Sequence, residues 1–152
     1  MDFGLNEDQE MLREGAREFL SRECPPARVR EAFESSDGLC EPLQRQMAAM
    51  GWNGLLVPES LGGLGLGVLD AAVLLIELGA AAVPGPFVFS AVLATSALVA
   101  AGTNRQKKEW LPRLAAGEIT ATLGWLEESD RIDREGTQAR AERKGSRYVL
   151  SG

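Results

Sequence analysis

The chain has 152 residues, of which 45% are hydrophobic and 25% charged, and its formal net charge is −6. This size and composition are typical of one soluble domain, or of one domain with the beginning of another. The negative charge argues against a nucleic-acid-binding face, and the absence of histidine excludes Ser-His-Asp and Cys-His catalysis. Cys24 and Cys40 form no CxxC pattern, so we expect two free thiols in a reducing compartment, with one disulfide as the alternative.

Hydrophobic periodicity predicts helices along most of the chain. Asn6 can cap the first helix, and Gln9 stands in the reciprocal position of a capping box. Gly51 is expected to take the left-handed conformation after the third helix, and Pro112 indicates a boundary or kink in the last. The six predicted helices cover approximately residues 7–23, 26–34, 41–50, 68–82, 86–101 and 104–116.

The helix predicted over residues 68–82 is apolar on nearly every side, which places it in the middle of a bundle. Its acid Glu77 could act in catalysis, but a single carboxylate is better explained as a capping or salt-bridge partner. Residues 78–101 carry no charge, yet Pro84-Gly85-Pro86 divides them into pieces too short to span a bilayer. The acidic start of the chain lacks the basic region of a signal peptide, so we expect a cytoplasmic protein.

A dense run of glycines, Gly62-Gly63-Leu64-Gly65-Leu66-Gly67, precedes this apolar helix. A GxGxxG dinucleotide loop would need a glycine three residues after Gly65, where the chain has Val68, and no GK[ST] P-loop is present. The glycines are therefore predicted to provide positive φ angles and close backbone approach where the chain turns.

From Gly117 onward the composition becomes typical of strands. We predict strands over residues 119–126, 137–143 and 147–150, the last two joined by a turn at Lys144-Gly145-Ser146. The predicted fold is mainly α: an up-down bundle of about six helices, followed by the first strands of an incomplete β domain. The expected domains are residues 1–116 and 117–152.

Four stretches of the chain carry a joint pattern: residues 3–12, 51–65, 102–118 and 148–152. Together they resemble the amino-terminal region of the acyl-CoA dehydrogenase family. Residues 3–12 resemble its opening helix, and residues 51–65 are similar to its G-x-x-G-x-x-x-P-E-x-x-G-G-x-G segment. Residues 102–118 are similar to its G-[ST]-x-x-Q-K-x-x-x-L-P-x-L-A-x-G-E stretch, and residues 148–152 resemble the Y-x-L-[NS]-G that begins the middle sheet.

The resemblance implies that the complete protein is an FAD-dependent enzyme acting on an acyl-CoA thioester. Such enzymes have an all-α first domain that provides one wall of the acyl pocket, a β middle domain and a second helical domain. A carboxylate removes the α-proton while the β-hydrogen leaves as hydride to the flavin. The base belongs to the last domain, so we expect no catalytic residue and no metal ligand in this span, and no FAD binding by the span alone.

One family motif is altered in this chain. Where the family has T-E-P-x-x-G-S-D, residues 126–130 are Leu-Glu-Glu-Ser-Asp, so Leu126 replaces the threonine that contacts the flavin edge. By position, the resemblance implies that Leu123, Trp125 and Leu126 lie beside the FAD, whereas composition alone favours core positions for Trp125 and Leu126. Expected partners are an acyl-CoA substrate and further subunits in a homo- or hetero-oligomer. The alternatives are a non-catalytic subunit of a heteromeric dehydrogenase, or a helical interaction module without flavin chemistry.

Overall fold

The computed structural model describes residues 4–131 and 133–152. The described chain is mainly helical and ends in a two-stranded hairpin, which confirms the predicted fold class. The α-helices are α1 (Glu7–Glu23), α2 (Pro26–Glu34), α3 (Glu41–Ala49), α4 (Val68–Ala80), α5 (Thr95–Ala101) and α6 (Asn104–Ala115). Short 3-10 turns occupy Trp52–Gly54 and Glu59–Leu61, and a π-helical stretch, Val88–Ala94, continues directly into α5. The chain ends in a hairpin of β1 (Arg140–Lys144) and β2 (Arg147–Ser151). Phe3, which belongs to the first family stretch, lies outside the described residues.

Two compact units make up the structure, one ending at Thr122 and the other comprising Leu123–Gly152. The sequence-based division between residues 116 and 117 stays a prediction. No helix among the described residues is both long and apolar enough to cross a membrane.

The helix ends follow local capping chemistry. Asn6 Oδ1 accepts the Gln9 N–H at 2.8 Å and Gln9 Oε1 accepts the Asn6 N–H at 3.2 Å, which confirms the predicted capping box. Gly51, which follows the C-cap residue Met50 of α3, has φ +78°, and its predicted left-handed conformation is confirmed. Of the two alternatives predicted at Pro112, the boundary does not occur, because α6 continues to Ala115, and the kink stays a prediction. Leu111 is fully buried beside Pro112, and its packing offsets the hydrogen bond that proline cannot donate.

The main core of the first unit is formed by α1, α3, α4 and the turn at Trp52. Leu43, Met47 and Leu74 are fully buried there, and the Phe19 and Trp52 rings meet edge to face with centroids 5.2 Å apart. Apolar burial of this kind supplies most of the stability of a helical unit. The first unit therefore folds around its own core.

Two polar contacts join α1 to α4. Gln9 Nε2 donates to Asp70 Oδ1 at 2.9 Å, and Arg17 donates to both carboxylate oxygens of Glu77 at 3.0 and 2.7 Å. The two pairs follow the same order along both helices, so α1 and α4 run parallel. Glu77 is only 5% exposed, and the Arg17 hydrogen bonds hold its pKa below the ordinary value. The prediction that Glu77 is a salt-bridge partner is confirmed.

Replacing Arg17 with alanine should destabilise the protein most at neutral pH, because it leaves a buried carboxylate without a partner. With Arg17 present, the lowered pKa of Glu77 contributes stability above its ordinary value of 4.5, and that contribution disappears as the pH falls through the lowered value. Without Arg17, burial favours the protonated acid, so the variant loses stability as the pH rises. We expect a Tm decrease of roughly 5 °C at pH 7 that becomes smaller toward pH 4.

The matched control is Arg45→Ala. Arg45 pairs with Glu41 on the surface of α3, and both side chains are about three-quarters exposed, so little change is expected. Calorimetry of the two variants from pH 4 to 7 provides the comparison. Equal, pH-independent shifts in both variants would contradict the role assigned to Glu77.

The apolar helix α4 is not enclosed on all sides, contrary to the expectation from its composition. It buries Ala71, Val73, Leu74, Glu77 and Leu78, but the apolar side chains at Val68, Leu69 and Ile76 are more than 60% exposed. The reason is that the described elements pack against one side of α4 only, chiefly α1. Composition shows that a helix can be buried on every side, but only the neighbouring elements decide which side is.

The glycine run folds back onto the chain segment before it. Backbone N–H groups of Leu64, Gly65 and Leu66 donate to the carbonyls of Gly54, Val57 and Leu55 at 2.8–2.9 Å. Gly62 and Gly65 have φ angles of +84° and +64°. The prediction of positive φ angles and close backbone approach is confirmed.

The C-terminal strands differ from the predicted ones in two respects. β1 begins at Arg140 rather than at residue 137, and the turn is the two residues Gly145-Ser146, since Lys144 pairs with Arg147. The strand predicted over residues 119–126 is wrong, because this segment has no strand assignment. A strand is defined by hydrogen bonds to a neighbour, and β1 pairs only with β2 among the described residues.

Candidate functional site

A cavity of about 650 Å³ lies in the first unit, beside the π-helical stretch. Its walls come from α3, from the start of the helix after Pro86, and from the chain that follows α6. Small side chains, among them Ala48 and Ala91, leave this space open. Gln44, which also lines it, donates to the Pro84 carbonyl at 2.7 Å. The volume falls in the range of small-molecule sites.

The π-helical wall is held by two hydroxyl side chains. Thr95 is fully buried, and its Oγ1 donates to the Ser90 carbonyl at 3.0 Å. The Thr95 N–H also reaches the Ser90 carbonyl, which is the five-residue spacing of a π turn. Ser90 Oγ lines the cavity and accepts the Ala121 N–H at 3.2 Å. This contact joins the helix to the chain that leaves the first unit.

The segment 123–126 contains the three residues that the resemblance implies for flavin contact. Leu123, Trp125 and Leu126 are 40%, 42% and 52% exposed, so they are not core residues. No backbone group of residues 123–126 makes a hydrogen bond to another described residue. Exposed apolar side chains with available backbone N–H and C=O groups fit one wall of a site for a flat ring system with polar edges, such as a flavin.

Glu127, directly after this segment, organises the second unit. Its carboxylate accepts the backbone N–H groups of Gln138 at 2.7 Å and Ala139 at 2.9 Å. The loop between them is closed further by Arg131, which donates to Asp133 at 2.6 Å. Glu127 thus connects the candidate flavin segment to the start of β1 within one unit.

Two further groups of chemically active side chains among the described residues are relevant to a site: the buried acid and thiol beside α1, and the possible metal ligands. A second cavity of about 610 Å³ between α1, α2 and α4 contains Glu77 and Cys24. Glu77 is bound by Arg17, and burial raises the pKa of the Cys24 thiol, so this thiol is protonated and unreactive. Cys24 and Cys40 are both free thiols. Within residues 4–131 and 133–152, no group of three or more His, Cys, Asp or Glu side chains could hold a metal ion.

Ser90, Thr95 and the π-helical geometry between them were not predictable from hydrophobic periodicity. The available signal was weak: an otherwise apolar helix contains three hydroxyl side chains, of which Ser90 and Thr95 lie five positions apart. Glu127 was included in the altered motif, but its bonds to Gln138 and Ala139 join residues too far apart in sequence for periodicity to connect.

Known proteins resemble this chain in sequence over almost its whole length. Residues 6–118 match the family described as acyl-CoA dehydrogenase, N-terminal domain. Mitochondrial isovaleryl-CoA dehydrogenase of Bos taurus is 31% identical over 153 residues, covering 98% of this chain and 35% of that protein.

Solved structures agree with the sequence match. The ChsE4-ChsE5 complex from Mycobacterium tuberculosis has a TM-score of 0.88 at 28% identity, covering 100% of this chain and 40% of that chain. An acyl-CoA dehydrogenase complexed with FAD from Bacillus anthracis has a TM-score of 0.78 at 25% identity, covering 97% of this chain and 26% of that chain. The chain thus spans only 26% to 40% of the length of these relatives. The match over residues 6–118 shows that the chain belongs to the acyl-CoA dehydrogenase family.

Proposed function

We propose that the complete protein is an FAD-dependent acyl-CoA dehydrogenase, which forms a double bond between the α and β carbons of an acyl-CoA thioester. Residues 1–116 are the first helical domain in this proposal, and residues 117–152 begin the β domain. The observation that carries it is the exposed segment 123–126 in a chain that belongs to the acyl-CoA dehydrogenase family. The resemblance of its motif implies that this segment lies where the family contacts flavin. The FAD-bound relative from Bacillus anthracis supports the choice of cofactor.

In this proposal the chain contributes binding surface rather than the reacting base. Bound FAD would supply the hydride acceptor. Leu123, Trp125 and Leu126 cover the ring with apolar surface and exclude water, while the backbone N–H groups of the segment are available to its polar edge. The helical unit supplies a wall of the acyl site through the cavity beside Ser90 and Ala91. We assign no catalytic residue to this chain.

Oligomer formation and location are further parts of the proposal. Exposed Val68, Leu69 and Ile76 on α4 give an apolar surface suited to burial within a larger assembly. The two free thiols suit a reducing compartment such as the cytoplasm.

A second candidate is a non-catalytic subunit of a heteromeric dehydrogenase. Leu126 favours it, because leucine cannot donate the side-chain hydrogen bond of the family's threonine. The likeness to the ChsE4-ChsE5 complex is compatible with it. A helical interaction module without flavin chemistry is the third candidate, and flavin binding separates it from the other two.

Replacing Trp125 with alanine in the complete protein should weaken FAD binding by about 10-fold to 100-fold, since burial of a large apolar side chain contributes about 1.5–3 kcal/mol. Equilibrium dialysis with detection of the visible flavin absorbance measures the affinity. Trp110→Ala is the matched control, because Trp110 lies on α6 and contacts Arg113 instead.

The 152-residue chain alone is the negative control, because segment 123–126 offers one wall and is expected not to retain FAD. Flavin retained by this chain would show that a second wall is present within it. A complete protein that binds no FAD would favour the interaction module. FAD binding without oxidation of any acyl-CoA would favour the non-catalytic subunit.

A further inference from the structure

The inner side of the helix after Pro86 has an unusual hydrogen-bond arrangement. The carbonyl of Ser90 accepts both the N–H and the Oγ1–H of Thr95, the latter at 3.0 Å. In a regular α-helix the N–H of Thr95 would bond to residue 91, four positions earlier. In a regular α-helix the Thr95 hydroxyl would have the carbonyl of Ala91, four residues earlier, as its acceptor. In the observed turn both Thr95 donors converge on the Ser90 carbonyl, so Thr95 adds a side-chain hydrogen bond to the π turn.

The π geometry decides the direction in which Ser90 points. One additional residue in a turn changes the orientation of the preceding side chains relative to α5 by about 100°. In the observed turn, Ser90 Oγ lies 3.2 Å from the Ala121 N–H. A regular α-helix would direct this hydroxyl away from Ala121. The hydrogen bond from Ala121 thus depends on the turn that Thr95 stabilises.

Few contacts restrain the chain around Ala121. Among the described residues, its bond to Ser90 is the only hydrogen bond made by residues 119–126. No strand of the described part of the chain pairs with this segment. Packing of Ile119 and Ala121 against the small core around Leu111 is the other restraint. Leu123, the first of the proposed flavin contacts, follows two residues after Ala121.

We propose that Thr95 and Ser90 are positioning residues for the flavin-contact segment. Thr95 fixes the π turn, the turn directs the Ser90 hydroxyl at the Ala121 amide, and that bond sets the point at which the chain enters residues 123–126. The inference rests on the proposed function for the flavin and on observed contacts for the rest. Neither side chain needs to touch the cofactor. Their effect on it is transmitted through the backbone of residues 121–123.

The test uses the complete protein and five variants. Ser90→Ala removes the acceptor, and Thr95→Val removes the hydroxyl while keeping the branched shape. Ser90→Thr and Thr95→Ser retain the hydroxyls and should rescue the wild-type behaviour. Ser96→Ala is the matched control, because Ser96 is exposed on the same helix.

Two quantities are measured for each variant. Amide hydrogen exchange of apo protein should show Ala121 exchanging at least about fivefold faster in Ser90→Ala and Thr95→Val, as expected for loss of one hydrogen bond. FAD affinity should fall by a similar factor, with a changed visible flavin spectrum. Thermal unfolding of each variant shows whether it is folded, and Thr95→Val provides the test if Ser90→Ala does not fold.

The outcomes distinguish a failure of the positioning role from a failure of the proposed function. Unchanged exchange at Ala121 in both variants would overturn the positioning role, and so would faster exchange with unchanged FAD affinity and spectrum. An effect of Ser96→Ala equal to that of Ser90→Ala would also overturn it. If the wild-type complete protein binds no FAD, the proposed function fails and the flavin role fails with it. If the wild-type protein binds FAD but Ser90→Ala and Thr95→Val show none of the expected changes, the positioning role alone is refuted.

Discussion

Replacing Gly63 with valine is expected to lower the free energy of unfolding by at least about 3 kcal/mol, the upper end of the usual cost of overpacking. A Cβ atom at Gly63 would overlap the carbonyl oxygen and Cβ of Val57 and would lie 2.6 Å from the Gly54 oxygen. Two of these obstacles are backbone atoms, so no side chain can rotate away. The loop that folds back onto residues 54–58 would have to open.

Gly15→Ala is the control for the glycine substitution. Gly15 lies within α1, and a Cβ atom there would meet nothing within 4 Å, so alanine should stabilise the protein by about 0.5–1 kcal/mol. Urea unfolding followed by far-UV circular dichroism measures both changes. A Gly63→Val protein with unchanged stability but altered ligand binding would mean that the glycine run forms a ligand site.

Leu74→Ala should cost about 3–4 kcal/mol, because Leu74 is fully buried in the main core and its removal leaves a cavity. The partner experiment is Leu69→Ala on the same helix. Leu69 is 63% exposed, so its loss should change the stability of the 152-residue chain by no more than about 0.5 kcal/mol. Thermal unfolding of both variants gives the comparison.

The pair of leucine variants also tests how α4 is used. A cost for Leu69→Ala that rises in the complete protein but not in the 152-residue chain would show that another element covers this face. A large loss of stability on Leu69→Ala in the complete protein and an equally large one in the 152-residue chain would contradict the described packing, in which α4 is covered chiefly by α1.

Helix positions were predictable because their causes are local. The capping box of Asn6 and Gln9 and the left-handed Gly51 each involve residues within one turn of the helix end. The hairpin turn at Gly145 was predicted for the same reason, although β1 begins later than expected. Local chemistry gave no equivalent signal for the π turn between Ser90 and Thr95.

The absence of a strand at residues 119–126 and the continuity of α6 through Pro112 have a different cause. Residues 119–126 have strand composition, but a strand needs a neighbour in register, and none is present among the described residues. Pro112 has the chemistry of a helix breaker, but the burial of Leu111 and Leu114 holds α6 together across it. Both depend on contacts between elements far apart in sequence.

The candidate site likewise has one part that a local motif predicted and one part that depends on a contact distant in sequence. The family motif identified Leu123, Trp125 and Leu126 as flavin contacts, and that assignment stays a prediction, while the structure shows these side chains exposed and their backbone groups available. The link from Thr95 through Ser90 to Ala121 was not predictable, because a 31-residue separation has no periodic signature.

By itself, the sequence determined the helices, their caps and the family, because these depend on short-range spacing and on the identity of residues in order. Only the tertiary structure decided which face of α4 is buried, that Glu77 is bound by Arg17, and where the Ser90 hydroxyl points. The physical reason is that burial and hydrogen bonding are properties of pairs of surfaces. The residue pattern of one segment describes only one of the two surfaces in contact. The fold decides which other surface of the protein lies against it.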